Sequence, residues 1–511
     1  MNYSLSHYDI WERTGFLTDI HFIDNFDHIS GNFIIFNNLI DTIKYNSQCH
    51  SKFEDEVQNI IDLYERAPFD IVSSINSSEL CFDDVIKYLY CTLSIICHKY
   101  LVIESTKMKD KQIQTTTIVL PHILGFTWYL CAEKLGLPPV LTYAASNLYN
   151  WTYVKSGASN FFNNISNLYE PENLEILYSL TNDPNERWFY IISNSIEGYC
   201  ANVIYQIYNL YTGYGYLSNK DININEELKS IIVCLEKCNK VIKRMYENCD
   251  PNFFYNKLRI YLRGSDNKEL FPEGISIEDN VNNRQIKISY KGASAAQSSA
   301  IQLFDVLFNV MHTDHERAFL KEMREYMPKK HREFLEMIEK TGSLQKIFKF
   351  SDELYNKCII QLSELREKHY GLVHNYILKF ESNDAKGTGG THAATLLSKI
   401  KENTLKSLKI DLTNRETTNI KTTNIKSLKI DLTNGETTNM KVKNKSKFQI
   451  IAKFYQTIFL VLLFTMISLN YFNCSIDVSA IFLNYFNCSI DVFAMFLLCL
   501  FYVFYLFNIF T

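Results

Sequence analysis

Residues 351–378 read SDELYNKCIIQLSELREKHYGLVHNYIL, and the spacing of their apolar side chains predicts one long helix. At 3.6 residues per turn, the face directed at the core carries Leu354, Cys358, Leu362, Leu365, His369, Leu372 and Tyr376. His369 therefore lies in the middle of an apolar stripe, whereas His374 lies about 140° around the helix. Only one of the two histidines is predicted to point inward.

An inward histidine has two interpretations that periodicity alone does not separate. It is either a core residue with satisfied hydrogen bonds or a single axial ligand to a haem iron, which needs a neutral imidazole on a rigid helix facing an apolar slot. His312 and His315 form an H-x-x-H pair, but this pair lacks the glutamate that follows the first histidine in a zinc protease helix. A metal site is not predicted there.

Three- and four-residue apolar spacing recurs through most of the first 400 residues, and only nine prolines and 17 glycines interrupt the 511-residue chain. Further helices are predicted at Phe82 to Ile103, Phe189 to Tyr211, Ile224 to Tyr246, Ala300 to Val310 and Phe319 to Tyr326. Short β structure is expected in the turn-rich stretch 262–280 and in RQIKISYKG at 284–292. The predicted fold class is all-α.

Composition divides the chain into four predicted segments. Prolines in LPHILGF and GLPPVLTY favour a boundary near residue 120, between a small N-terminal domain at 1–120 and a large helical domain at 121–405. SLKIDLTNRETTN at 407–419 recurs as SLKIDLTNGETTN at 427–439, which is typical of a polar linker over 406–447. Residues 448–511 contain two long uncharged apolar runs and are predicted to form about two transmembrane helices.

Charge and cysteine usage narrow the cellular setting. A formal net charge of -4 gives no basic field for nucleic acid, and no basic and apolar leader opens the sequence. The 13 cysteines are scattered without a C-x-x-C pair, a pattern that indicates reduced thiols rather than disulfides or a zinc site. Lysines before the apolar tail predict a C-terminal membrane anchor with the main domain facing the cytosol.

Four blocks of sequence, in order and at suitable spacing, resemble the indoleamine 2,3-dioxygenase family. They are KGASAAQSSAIQLFDVLF (291–308), FLKEMREYMPKKHREFLEMIE (319–339), LREKHYGLVHNYIL (365–378) and DAKGTGGTHAATLL (384–397). The resemblance covers about residues 8–405. It implies a large all-helical domain that binds haem b, a smaller N-terminal domain, and insertion of both atoms of O₂ across the indole C2–C3 bond of tryptophan to give N-formylkynurenine.

The resemblance also implies roles for individual residues. His369 matches the proximal ligand of the haem iron, Phe254 matches the ring that packs on the indole, and Arg259 matches the guanidinium that binds the substrate carboxylate. An aromatic face suits a flat indole, and a guanidinium fork suits a carboxylate. The remaining matches are Phe189 and Ser193 in the distal pocket, Tyr143 in the pocket, Ser294 and Ala295 over the haem face, and Gly387, Thr388 and Gly389 in a loop that closes over substrate.

The implied partners are L-tryptophan or a related indoleamine, O₂ and an unidentified electron donor, with the catalytic domain monomeric. A second function of the same fold stays open, namely a haem-binding sensor or signalling scaffold with weak or no turnover. Retention of His369, Phe254, Arg259 and the glycine-rich loop together favours the enzyme, because a scaffold does not need all four.

Overall fold

A computed structural model describes residues 4–19, 32–45, 50–76, 83–112, 116–154, 168–214, 222–381 and 393–409. Residues 1–410 form one compact unit. The predicted linker beyond residue 409, the predicted membrane helices and the glycine-rich loop with Gly387, Thr388 and Gly389 lie outside the described residues. The subdivision of the compact unit near residue 120 stays a prediction.

The first half of the unit is a set of helices with a short strand between them. Helices α1 to α5 span Asn37–Tyr45, His50–Arg66, Ile71–Asn76, Asp83–Asp110 and His122–Leu135, and strand β1 spans Ile118–Leu120. A π-helical turn at Ala144–Leu148 and strands β2 at Thr152–Tyr153 and β3 at Leu174–Glu175 follow. Helix α4 packs along α5 and also contacts strand β1, which lies between the two helices in the sequence.

The second half carries the longest helices. Helices α6 and α7 span Pro184–Tyr214 and Asn225–Val241, and the short helical segments Met245–Asn248, Pro251–Phe253, Phe254–Leu258 (π) and Arg259–Leu262 follow them. Strands β4 and β5 span Ile275–Asp279 and Arg284–Ile288. Helices α8 to α12 span Ser299–Leu307, Asp314–Arg324, Lys329–Thr341, Asp352–Val373 and Ala393–Lys406, with a short helix at Leu344–Ile347. The described residues also form five 3₁₀ segments, at Leu5–Tyr8, Asn32–Phe36, Pro171–Asn173, Ile242–Arg244 and Ala295–Gln297.

The β structure is small; β4 and β5 lie in the stretches where the sequence predicts short strands, whereas β1, β2 and β3 lie outside them. Strand β4 pairs with β5 in an antiparallel hairpin, with Ile275 opposite Ile288, and with β1 in a parallel ladder, with Ile118 opposite Ile275. Strands β2 and β3 form a separate two-stranded ladder. Of the described residues, 68% are helical and 6% lie in strands, which confirms a mostly helical fold.

Helix α4 contains a long apolar window. It is the one helix of the described part that is long and apolar enough to span a membrane, and 94% of its most apolar window is buried within the protein. Its side chains pack in the same core as those of α5 and α6. Burial of this extent is typical of a core helix in a large helical domain.

Helix α11 carries the stretch that the sequence analysis opened with, and it differs from the prediction at its end. Asp352 and Glu353 lie in its first turn, where they complement the positive end of the helix dipole. The helix stays α-helical to Val373, and His374–Leu378 then forms a π turn. The extra residue in that turn brings Tyr376 and Ile377 into the core together, and the Tyr376 hydroxyl donates to the carbonyl of Cys249 at 2.6 Å.

His98 on α4 fixes the chain that leads into the predicted pocket. Its Nδ1 lies 3.1 Å from the carbonyl oxygen of Tyr261, and its Nε2 accepts the backbone N–H of Leu141 at 2.8 Å. Because the carbonyl requires a proton on Nδ1 and the amide requires a lone pair on Nε2, both contacts select one neutral tautomer. Burial lowers the pKa of His98 to about 4.

We expect the pH dependence of stability to report this histidine. With a folded pKa of about 4 against 6.5 in the unfolded chain, the unfolded state binds more protons below pH 6.5, so stability falls by up to about 3 kcal/mol as pH drops from 6.5 toward 4. A His98→Gln variant should be less stable at pH 7 and should lose less stability on acidification. Urea unfolding from pH 7 to pH 4.5 measures both effects.

The comparison isolates His98 because His331, which is also buried with a pKa of about 4, is present in both proteins. An equally steep loss of stability in the His98→Gln variant would contradict the assignment.

Candidate active site

One cavity of about 290 Å³ lies among the helices of the second half. Side chains of α6, α8, α9, α11 and α12 line it, together with the segments around Tyr143, Phe254 and Ser294. Most of these side chains are apolar, including Phe319, Leu396 and Ile400, which form a small second core where α9 meets α12. The cavity therefore offers an apolar chamber with few polar groups, which is typical of a ligand site.

His369 lies on the wall of this cavity. It is the only histidine among the described lining residues, and it is half-buried. No described residue forms a hydrogen bond with its ring nitrogens. Burial lowers the pKa of His369 to about 4, and the nearby charge of Arg366 lowers it further. A neutral imidazole with an available nitrogen can coordinate a metal. His374 is exposed.

Arg366, one turn before His369, and Asp305 on α8 also line the cavity, and the sequence analysis did not single out either residue. Arg366 is buried and forms an ion pair with Asp305 and a hydrogen bond with Thr404. The charge of Arg366 lowers the pKa of Asp305 against the opposing effect of burial. The spacing R-x-x-H places both basic side chains on one helix face, and this signal could have identified Arg366.

The predicted aromatic and distal residues lie together. The rings of Phe189 and Phe254 are 4.9 Å apart, and Phe254 makes an edge contact with Tyr376 at 5.6 Å. Ser193 lies one turn after Phe189 on α6 and its hydroxyl is 3.4 Å from the Phe189 carbonyl oxygen. All four residues line the cavity. They give the cavity an aromatic wall with the Ser193 hydroxyl beside it.

Small residues at 293–296 form another part of the lining, at a place where two stretches of backbone cross closely. A Cβ on Gly292 would lie 1.9 Å from the carbonyl oxygen of Leu262, so only glycine fits there. The Ser294 hydroxyl then accepts the amide of Ala296 at 3.3 Å and caps a short 3₁₀ turn. Ser294 and Ala295 both line the cavity.

Tyr143 lies at the base of the cavity in a buried polar cluster. Its hydroxyl donates to Glu197 Oε1 at 3.0 Å, and the hydroxyl of Ser298 donates to the same oxygen at 2.5 Å. Burial raises the pKa of Glu197 to about 7, against the lowering effect of the two hydroxyl donors. Burial, followed by the charge of Glu197, also holds the pKa of Tyr143 well above its usual value. Gln297 ties Tyr143 to the small-residue segment, because it accepts the Tyr143 amide at 2.9 Å and donates to the Gly292 carbonyl at 2.9 Å.

Arg259 is the one described candidate that does not line the cavity. Its side chain is buried, forms an ion pair with Glu381 and lies 5.2 Å from the ring of Tyr255. The hydroxyl of Tyr255 donates to the same carboxylate oxygen of Glu381 at 3.0 Å. Arg259 follows Phe254 by five residues, so the guanidinium is close to the aromatic wall along the chain although a protein carboxylate holds it.

The described part of the chain is an α-helical protein with an apolar chamber and a single histidine on the chamber wall. The chain belongs to the indoleamine 2,3-dioxygenase family, whose model matches residues 4–407. It is similar to indoleamine 2,3-dioxygenase 1 of Mus musculus, with 31% identity over 313 residues, 57% of this chain and 73% of that protein. It is also similar to indoleamine 2,3-dioxygenase of Saccharomyces cerevisiae, with 27% identity over 392 residues, 71% of this chain and 81% of that protein.

Proposed function

We propose that the protein is a haem-dependent dioxygenase that acts on tryptophan or a related indoleamine. The observation that carries the proposal is the position of His369, a neutral imidazole without a described hydrogen-bond partner on the wall of an apolar cavity. Family membership and relatives named indoleamine 2,3-dioxygenases support the same activity. Oxidative opening of the indole ring to N-formylkynurenine is the proposed reaction.

The residues present fit haem b. His369 would hold the iron from one face, and Arg366 is a buried cation one turn away that would offset the charge of a propionate. Apolar side chains from α11 and α12 would pack on the porphyrin. When bound, the haem iron supplies the dioxygen chemistry, and the protein supplies binding, orientation and exclusion of water.

Phe254 and Phe189 would hold the flat indole on the side of the cavity opposite His369. Their tilted rings present aromatic faces to a planar ligand. Beside these rings, Ser193 carries a hydroxyl that is already directed at a backbone carbonyl. No described lining residue other than His369 is a histidine. The pocket thus favours close positioning of the indole over proton transfer by a strong acid or base.

Arg259 would bind the substrate carboxylate after exchange with Glu381. The ion pair between Arg259 and Glu381 is the same charge pairing that an amino acid carboxylate would make, so the two carboxylates compete for one guanidinium. Glu381 therefore sets part of the affinity for substrate. The ammonium group has no assigned partner among the described residues.

A haem-binding sensor of the same fold is the second candidate function. The buried network of Tyr143, Glu197 and Ser298 beside the cavity favours it, because a rigid polar network could link ligand state to the α6–α7 helices. A haem-loaded protein that yields no formylkynurenine would support the sensor over the enzyme.

Loss of the His369 imidazole should abolish activity by removing the iron ligand. The full chain, purified in a mild detergent, is expected to show a Soret band and to convert L-tryptophan under reducing conditions. In His369→Gly the Soret band should shift from its wild-type position, and kcat should fall by at least about 100-fold, because the iron loses its protein ligand. His374→Gly is the matched control from the exposed face of the same helix and should retain both.

Added imidazole separates loss of a ligand from loss of folding. It should restore the wild-type spectrum to His369→Gly, because the free base fits the space left by the side chain. Wild-type activity in His369→Gly without imidazole would reject the proposed site.

The competition at Arg259 predicts opposite effects of two substitutions on tryptophan binding. Arg259→Gln should raise KM by about 10- to 100-fold, as expected for loss of a charge-assisted hydrogen bond. Glu381→Gln should lower KM, because it keeps the side-chain shape and removes the competing charge. Steady-state kinetics with L-tryptophan measures both effects. Tryptamine, which lacks the carboxylate, is the control substrate, and its KM should be insensitive to either change. A higher KM in Glu381→Gln would contradict the competition.

Membrane attachment is also part of the proposal and rests on the sequence after residue 409. The two uncharged runs within 448–511 would anchor the chain, with the preceding lysines and the dioxygenase domain in the cytosol. The full chain should pellet with membranes and resist extraction by high salt and carbonate. A chain with one charged residue introduced in the middle of each apolar run should shift to the soluble fraction, and retention in the pellet would contradict anchoring by these runs.

A further inference from the structure

Three cysteines that are far apart in the sequence meet in the core beside the cavity. Cys200 lies on α6, whereas Cys234 and Cys238 lie one turn apart on α7. All three are buried, at 0–4% exposure. Their sulfur atoms lie within 4.8 Å of one another, and Cys200 and Cys234 approach to 3.6 Å. The spacing of the cysteines in the sequence favours reduced thiols over a zinc site. Spacing contains no information about the contact between α6 and α7 that brings these thiols together.

The closest sulfur pair matches the spacing in the ligand shell of a tetrahedral thiolate metal, and the other sulfur separations do not exceed 4.8 Å. With zinc–sulfur bonds of 2.3 Å, tetrahedral geometry places neighbouring sulfur atoms about 3.8 Å apart. The Cys200–Cys234 distance of 3.6 Å is close to that edge. A cysteine pair at i and i+4 on one helix with a third ligand from the neighbouring helix also anchors the ion on rigid elements.

Glu197 carries a carboxylate in the same region; its oxygens do not lie within 4.8 Å of all three sulfur atoms, so the side chain would shift toward them on metal binding. It lies one turn before Cys200 on α6, and its charge interacts with those of Cys234 and Cys238. Tyr143 and Ser298 both donate to Oε1, and no described group forms a hydrogen bond with the buried Oε2. An oriented carboxylate with one oxygen held by donors and one unpartnered oxygen is the arrangement of a metal ligand with its supporting shell.

We propose that Cys200, Cys234, Cys238 and Glu197 form a structural site for a thiophilic divalent metal ion, with Zn²⁺ as the ion of choice. The site joins α6 to α7 immediately beneath Tyr143. The Tyr143 and Ser298 hydroxyls offset part of the charge on Glu197. Because the ligands are buried, the ion would enter during folding rather than by exchange into the folded protein.

Metal analysis of the full chain tests the site. The protein is expressed in zinc-supplemented medium with a streptavidin-binding tag, stripped of loosely bound metal by brief chelation, and analysed for zinc by mass spectrometry against amino-acid analysis. We expect about one zinc per chain in the wild type. Zinc content should fall at least about tenfold in Cys238→Ser.

Cys131→Ser is the matched control, since Cys131 is a fully buried free thiol on α5 that is not part of the cluster. It should keep the full zinc content. Glu197→Gln should retain zinc with an affinity about 10- to 100-fold lower in a chelator competition.

A second measurement does not depend on any variant. The wild-type chain produced with ¹¹³Cd should give one resonance at a chemical shift diagnostic of three thiolate donors. A zinc content below about one tenth of an equivalent in the wild type, full zinc retention in Cys238→Ser, or a Cys200–Cys234 disulfide in rapidly alkylated protein would each overturn the proposal. None of these outcomes bears on the dioxygenase activity, which is measured separately.

Discussion

The constraint on which the site depends is the burial of one imidazole in an apolar wall. His369 needs no charged partner there, because desolvation lowers its pKa to about 4 and leaves the imidazole neutral near pH 7. Everything else around the cavity is consistent with that requirement. Charged groups near it are paired with each other, as in Arg366 and Asp305, so the chamber itself stays apolar.

Two features of the backbone make this arrangement possible. The π turn after Val373 rotates the end of α11, so Tyr376 can support Phe254 while His369 faces the cavity. Gln297 forms hydrogen bonds with both Tyr143 and the small-residue segment. These bonds fix the lining loop to the base of the cavity. Rigid placement of this kind is what orients a ligand without a strong polar contact.

Much of the helical framework follows from periodicity, because α11 buries one face and the spacing of Leu362, Leu365 and Leu372 encodes it. The hairpin β4–β5 could likewise be placed from the turn-rich stretch before it. Three features could not. The π turn depends on tertiary packing of Tyr376 against Cys249, Arg259 is held by a carboxylate 122 residues away, and the cysteine cluster needs the contact between α6 and α7. Periodicity describes one helix at a time and contains no information about such contacts.

The tight crossing of the backbone at Gly292 has a practical consequence for redesign of this pocket. Residues 294–296 are exposed or partly exposed, so a library of substitutions at these positions could reshape the chamber for bulkier indoles. Gly292 and Gly264 belong outside such a library, since a Cβ at Gly292 would overlap the carbonyl oxygen of Leu262 and a Cβ at Gly264 would overlap that of Tyr290. Selection for altered substrates would then change the shape of the pocket while the close backbone crossing at Gly292 is kept.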